Sequence, residues 1–225
     1  MAALQDPLEG WSEYLLSLPP VYSGFTLDNA AIEESLLHRI FAYRNDACNR
    51  SATIVYDKVT FEFMLRVQVG LVEFCDVRFI HPDRERFEAV LKNSLFSLLD
   101  LLQCCIPDRM ETLFRNKKLH EWDYESFLPQ QLHGFTRVLC PQNCVQVTNG
   151  SYLILDYSDY ACISSLRFFY NVFRDDFFAE SLIQGVPEAT AAFDVKNLAD
   201  LEARLRKSLA DSLLDLRSRI ETMPK

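Results

Sequence analysis

The chain has 225 residues, 49% of them hydrophobic and 24% charged, with a formal net charge of −9. This composition excludes a disordered or collagen-like chain, and the negative field disfavours nucleic acid backbones and anionic lipid heads as partners. A chain of this length buries roughly 70% of its unfolded surface, so it needs neither disulfides nor a structural metal to fold.

The first residues, Met1 to Pro7, carry no basic stretch and no continuous apolar run. No segment approaches the roughly 20 apolar residues of a spanning helix, so the sequence predicts a protein that is neither exported nor membrane-embedded. Seven cysteines (Cys48, Cys75, Cys104, Cys105, Cys140, Cys144, Cys162) are irregularly spaced, and several lie inside apolar runs. They read as free thiols in a reducing compartment, cytosol or nucleus, where the sequons at Asn49 and Asn149 meet no glycosylation.

Along the chain, Ile32, Leu36, Leu37, Ile40 and Phe41 recur at helical spacing and predict an amphipathic helix over 26–44. Residues 60–69 put Phe61, Phe63, Leu65, Val67 and Val69 on one side of a strand, and 71–80 supply a second strand. A helix opening at Pro82-Asp83 carries a wide stripe of Phe87, Val90, Leu91, Leu95, Leu98, Leu99 and Leu102, with Pro107 as its stop and a shorter helix over 108–116 after it. Residues 145–155 read as a hairpin about Asn149-Gly150, a pair suited to a type I′ turn. Ile163, Leu166, Phe169, Tyr170, Phe173 and Phe177 predict a third large helix over 159–180. After the break at Gly185-Val186-Pro187, leucines every three or four residues predict a last helix over 197–220. No internal repeat is read.

Six glycines and no Gly-rich loop before a helix leave no place for a dinucleotide or phosphate cradle. Cys140 and Cys144 lack a second ligand pair, so no zinc site is drawn. Cys104-Cys105 ends an apolar helix, where burial favours an inert thiol, and His38, His81, His120 and His133 bring no flanking signature of a catalytic partner. Asp175-Asp176, and Asp156 with Asp159, read as surface or helix-start charges rather than as an acid/base pair. The aromatic run from Phe168 to Phe178 covers more than one helix face, so it is either core or an anchor for a partner.

Three stretches resemble the comet-type spindle-checkpoint silencing proteins, which are HORMA-like adaptors. The first runs from Gly24 to Asp57, with Leu36-Leu37-His38-Arg39-Ile40, Tyr43-Arg44 and Tyr56. The second includes Val90-Leu91, Leu99-Asp100, Ile106-Pro107-Asp108-Arg109 and Tyr124-Glu125-Ser126-Phe127-Leu128. The third begins at Ala161-Cys162-Ile163-Ser164-Ser165-Leu166-Arg167 and ends at Phe177-Phe178-Ala179-Glu180. Two features depart from the family: the hairpin at 145–155, and a leucine-rich helix where the family has its strand-rich, partner-binding closing segment. No binding residue is therefore carried over. The resemblance implies a non-enzymatic adaptor that presents a HORMA-domain checkpoint protein to a remodelling ATPase.

The sequence thus predicts an α+β fold, with antiparallel hairpins forming a sheet packed against three or four amphipathic helices. It predicts a globular domain over 1–186, then a linker and leucine-rich helix over 187–225. The expected function is an adaptor or scaffold subunit without cofactor, metal or catalytic residue, binding another protein or its own copy. Leu201, Leu205, Leu209, Leu213, Phe168 and Phe178 are the expected partner-binding residues. The alternatives are an enzyme of unfamiliar type, a hydrolase or transferase, and a viral or host-interaction protein.

Overall fold

The computed structural model describes residues 9–103, 110–147 and 150–222. The chain divides into two units, Met1–Gln103 and Cys104–Lys225. The first holds α1 (Trp11–Leu16), β1 (Val21–Tyr22), β2 (Phe25–Asp28), β3 (Ile32–Glu33), β4 (Leu37–Asn45), β5 (Arg50–Asp57), β6 (Glu62–Val69), β7 (Val72–His81) and α2 (Arg84–Gln103). The second holds α3 (Thr112–Asn116), β8 (Gln131–Leu132), β9 (Phe135–Leu139), β10 (Val145–Gln146), β11 (Ser151–Asp159), β12 (Ser164–Asn171), β13 (Asp176–Ile183), β14 (Val186–Val195) and α4 (Leu198–Thr222). No described helix is long and apolar enough to cross a membrane.

The two units are copies of one design. Each has a seven-stranded sheet, in order β1-β2-β4-β5-β6-β7 with β3 on β4, and β8-β9-β11-β12-β13-β14 with β10 on β11. Each sheet is followed by one long helix. Leu18-Pro19, Gly24-Phe25-Thr26 and Tyr43 of the first copy return as Leu128-Pro129, Gly134-Phe135-Thr136 and Tyr157 of the second. The contacts return with them. The Tyr43 hydroxyl donates to the Pro19 carbonyl at 2.7 Å, and the Tyr157 hydroxyl to the Pro129 carbonyl at 2.7 Å. Burial pushes the hydroxyls of both tyrosines up to about 12. Ala47-Cys48 returns as Ala161-Cys162, with each thiol against the carbonyl three residues earlier, at 3.7 and 3.6 Å. Both last strands carry a matching bulge, β7 opposite Met64 to Arg66 of β6 and β14 opposite Phe177 to Ala179 of β13.

Sheet and helix close one core in each copy. In β6 the side chains alternate, with Phe63, Leu65, Val67 and Val69 buried and Glu62, Met64, Arg66 and Gln68 half-buried, as a strand with one face in a core requires. Helix α2 starts where Asp83 accepts the Arg86 N–H at 2.9 Å, and α4 where Asn197 accepts the Asp200 N–H at 2.8 Å, each satisfying one orphan donor of a first turn. From those caps the buried stripes match in step: Phe87, Leu91, Leu95, Leu99 and Leu102 on α2, and Leu201, Leu205, Leu209, Leu213 and Leu216 on α4.

Several expectations are corrected. The fold is two antiparallel sheets, each with one long helix, and not one sheet under three or four helices. The helix expected over 26–44 is strands β2, β3 and β4. Ile32 and Leu36, which a helix would have buried, are 42% and 60% exposed, whereas Ile40, Phe41, Ala42 and Tyr43 are buried consecutively. The helix expected over 159–180 is β12 and β13. Ser164 to Tyr170 are buried without a break, and a strand buried on both faces loses the alternation that would reveal it. The boundary expected at 186/187 falls at the start of β14, in the same sheet as β13. The strands at 60–69 and 71–80, the helix after Asp83 and the last helix stand where expected. The hairpin over 145–155 forms as β10 on β11, with Gly150 at positive φ. Asn149, Cys104, Cys105 and Pro107 lie outside the described residues.

Candidate partner-binding groove

The copies differ most usefully beneath their last helices. Tyr56 faces Phe63 in one sheet and Tyr170 faces Phe177 in the other, which fixes the alignment of β6 with β13. Leu65 and Val67 of the first copy therefore correspond to Ala179 and Ser181 of the second. On the helices, Leu98 and Leu101 correspond to Ser212 and Asp215, by the matched stripes on either side. Each change in the second copy removes apolar bulk from the layer between sheet and helix, and truncation of this kind leaves space that the neighbours do not refill.

Three of the four changed positions, Ser181, Ser212 and Asp215, line a groove of about 420 Å³. Its floor includes Leu166 and Ser181, neighbours across β12 and β13, with Phe193 and Leu216 as apolar walls. One rim is β14, from Glu188 to Thr190. The other is a stripe of α4 at helical spacing: Ser208, Asp211, Ser212, Asp215 and Arg219.

Two contacts fix how the rims run. Arg219 Nη2 meets Glu188 Oε2 at 2.6 Å, and Arg204 Nη1 donates to the Ala192 carbonyl at 2.6 Å. Chain order rises along β14 as it falls along α4, so strand and helix lie alongside one another in opposite directions. Asp211 and Asp215 are exposed and have no ion pair among the described residues. Among the described residues strand β14 pairs with β13 alone, so its other edge carries no strand there.

Of the expected partner-binding residues, Leu201, Leu205, Leu209, Leu213 and Phe168 belong to the core of their own unit. The leucines face the sheet, and Phe168 packs edge-on against Phe193 at 4.9 Å. Helix α4 completes a monomer core, which corrects the expectation that it sits apart from its domain. Phe178 is half-buried, stacked on Phe169 at 5.1 Å beneath the Arg174 guanidinium. Reading the sequence missed the groove residues, because the acids and serines of α4 look like an ordinary solvated face. The signal lay in the pairing of small Ser181 with that face.

The other candidates resolve into structural roles. Asp175 accepts the Tyr170 hydroxyl at 2.6 Å and pairs with Lys117 at 2.6 Å, while Asp176 meets Arg174 and Lys196. Asp159 pairs with Arg217 at 2.8 Å. Asp156 is buried, accepts from Ser158 at 2.7 Å and faces Arg167 across the strands. Cys48, Cys75, Cys140 and Cys162 are free thiols, Cys144 is buried, and among the described residues no group of three or more His, Cys, Asp or Glu could hold a metal ion. No family model matches this chain, and no curated protein and no solved structure matches it.

Proposed function

We propose that this chain is a non-enzymatic protein-binding adaptor or scaffold subunit that takes an extended segment of another protein along β14, in the groove beside α4. The observation that carries the reading is a sheet edge with no strand on it among the described residues, next to a groove where smaller or polar residues replace Val67, Leu98 and Leu101 of the other copy. A strand added at such an edge gains main-chain hydrogen bonds, and its alternate side chains enter the neighbouring groove. The lining joins an apolar floor to hydroxyl and carboxylate rims, as a peptide groove requires. The buried carboxylate of Asp156 lies outside that lining. The adaptor role implied by the comet-type resemblance is of the same class.

The test is selection of random peptides against the immobilised full chain, repeated with Ala179→Leu/Ser181→Val, which restores the residues of the first copy. Peptides enriched on the wild type and lost on the filled variant support the reading. No enrichment, or the same enrichment on both proteins, overturns it.

A further inference from the structure

We infer that the segment taken by this groove is basic, with lysine or arginine at alternate positions. The inference rests on the groove reading above and adds the chemistry of the occupant. Asp211 and Asp215 are one helical turn apart, about 6 Å along the axis. Alternate residues of an extended chain are about 6.6 Å apart and point to the same side. A strand lying beside β14 runs along α4, because Glu188 sits by Arg219 and Ala192 by Arg204. Side chains at positions i and i+2 of that strand therefore meet Asp211 and Asp215 in step.

Long cationic side chains fit this geometry in both parts. Their flexible aliphatic stems lie along the groove between β14 and α4, and their charged ends reach the rim. Among the described residues neither carboxylate is engaged by a cation of its own unit, whereas Glu188, the third acid of the lining, is held by Arg219. The first copy has Ser97 and Leu101 at the matching helix positions, so this pair of acids belongs to the second copy alone. The net charge of −9 acts in the same direction at long range and speeds the encounter with a basic segment.

The probes are fluorescent peptides of about eight residues, long enough to span the strand, alternating valine with lysine, threonine or glutamate. Anisotropy is read on the full chain, on Asp211→Asn/Asp215→Asn, on the charge-matched control Glu13→Gln/Glu85→Gln, and on Ala179→Leu/Ser181→Val. The expected result is that the lysine peptide binds the wild type and the control alike. It binds Asp211→Asn/Asp215→Asn about tenfold more weakly, the scale of two partly exposed ion pairs. The threonine peptide binds the wild type more weakly than the lysine peptide does, and the glutamate peptide does not bind. If the lysine and threonine peptides bind equally and both are lost on the filled variant, the basic partner is overturned and the groove stands. If the control weakens binding as much as Asp211→Asn/Asp215→Asn, net charge and not these two acids explains the effect, and the inference falls. If no peptide binds, or binding survives filling of the groove, both readings fall.

Discussion

Arg217 Nη2 donates to the Asp159 carboxylate at 2.8 Å and ties the last turns of α4 to the end of β11. Burial opposes the charge of Asp159, but the hydrogen bonds from Arg217, Cys162 and the Ala161 N–H outweigh it and hold the carboxyl below its ordinary range. At the matching place in the first unit the Asn45 amide donates to Gln103 at 3.0 Å, joining the end of β4 to the end of α2. One latch is ionic and the other neutral, on the same two elements of a repeated fold. Beneath each lies a glycine with the same backbone, Gly134 at φ 82 and Gly24 at φ 81.

Gly134→Ala is expected to lower stability by about 1–3 kcal/mol, since the alanine is held at positive φ and its Cβ would lie 2.6 Å from Arg217 Nη2. Gly24→Ala meets the Gln103 and Asn45 amides only at 3.2 and 3.3 Å, so it costs less. Urea denaturation of the two variants checks the order. Equal losses would mean that the arginine latch adds nothing to the backbone strain.

Asp156 is wholly buried, and burial pushes its carboxyl up to about 6 against the opposing pull of the Ser158 hydroxyl and of Arg167. An unfolded aspartate titrates near 3.9. Between about pH 4 and 6 the folded protein therefore holds a proton that the unfolded chain has released, and this group makes stability fall as pH rises through the window. The fall is about 3 kcal/mol and is complete above about pH 6. Asp156→Asn removes it, so the variant matches the wild type at about pH 4 and exceeds it at pH 7. Denaturation curves across that range read the difference directly, and a constant difference between the two proteins would contradict the assignment.

Leu209 and Leu95 hold the same place in the two helix stripes, and both are buried, at 3% and 0% exposure. Each replacement by alanine is expected to cost about 2–5 kcal/mol, as for other buried leucines. Thermal unfolding of the two variants measures it. An unchanged melting temperature for Leu209→Ala would show that α4 does not complete a core and would return it to the assembly role that its leucine pattern first implied.

Much of each unit was legible in its sequence, for a physical reason that also explains the failures. Strand β6 shows its alternation because one face is apolar and the other carries Glu62, Arg66 and Gln68, and helices α2 and α4 show their stripes for the same cause. Strand β12 is buried on both faces, so Leu166, Phe169 and Tyr170 matched a helical period by accident of a continuous apolar run. The repeat was present in Leu18-Pro19 and Leu128-Pro129, in Gly24-Phe25-Thr26 and Gly134-Phe135-Thr136, and in Ala47-Cys48 and Ala161-Cys162. Its identities mark turns and strand ends, scattered among divergent positions, and register is what joins them. The groove was least legible, because it exists as a difference between copies: Ser181 has no meaning until Val67 is set beside it.

The reading of β14 as a docking edge is tested most directly by amide hydrogen exchange of the full chain with and without the alternating valine–lysine peptide. A strand added along this edge gives new partners to backbone N–H groups that β13 does not hold, and their exchange slows accordingly. The expected result is slower exchange in Val186–Val195 and in the part of α4 from Ser208 to Arg219. Ala179→Leu/Ser181→Val should abolish the slowing, and the edge strand β7 of the first unit should show none. Unchanged exchange in β14, or the same slowing in the filled variant, would contradict the account.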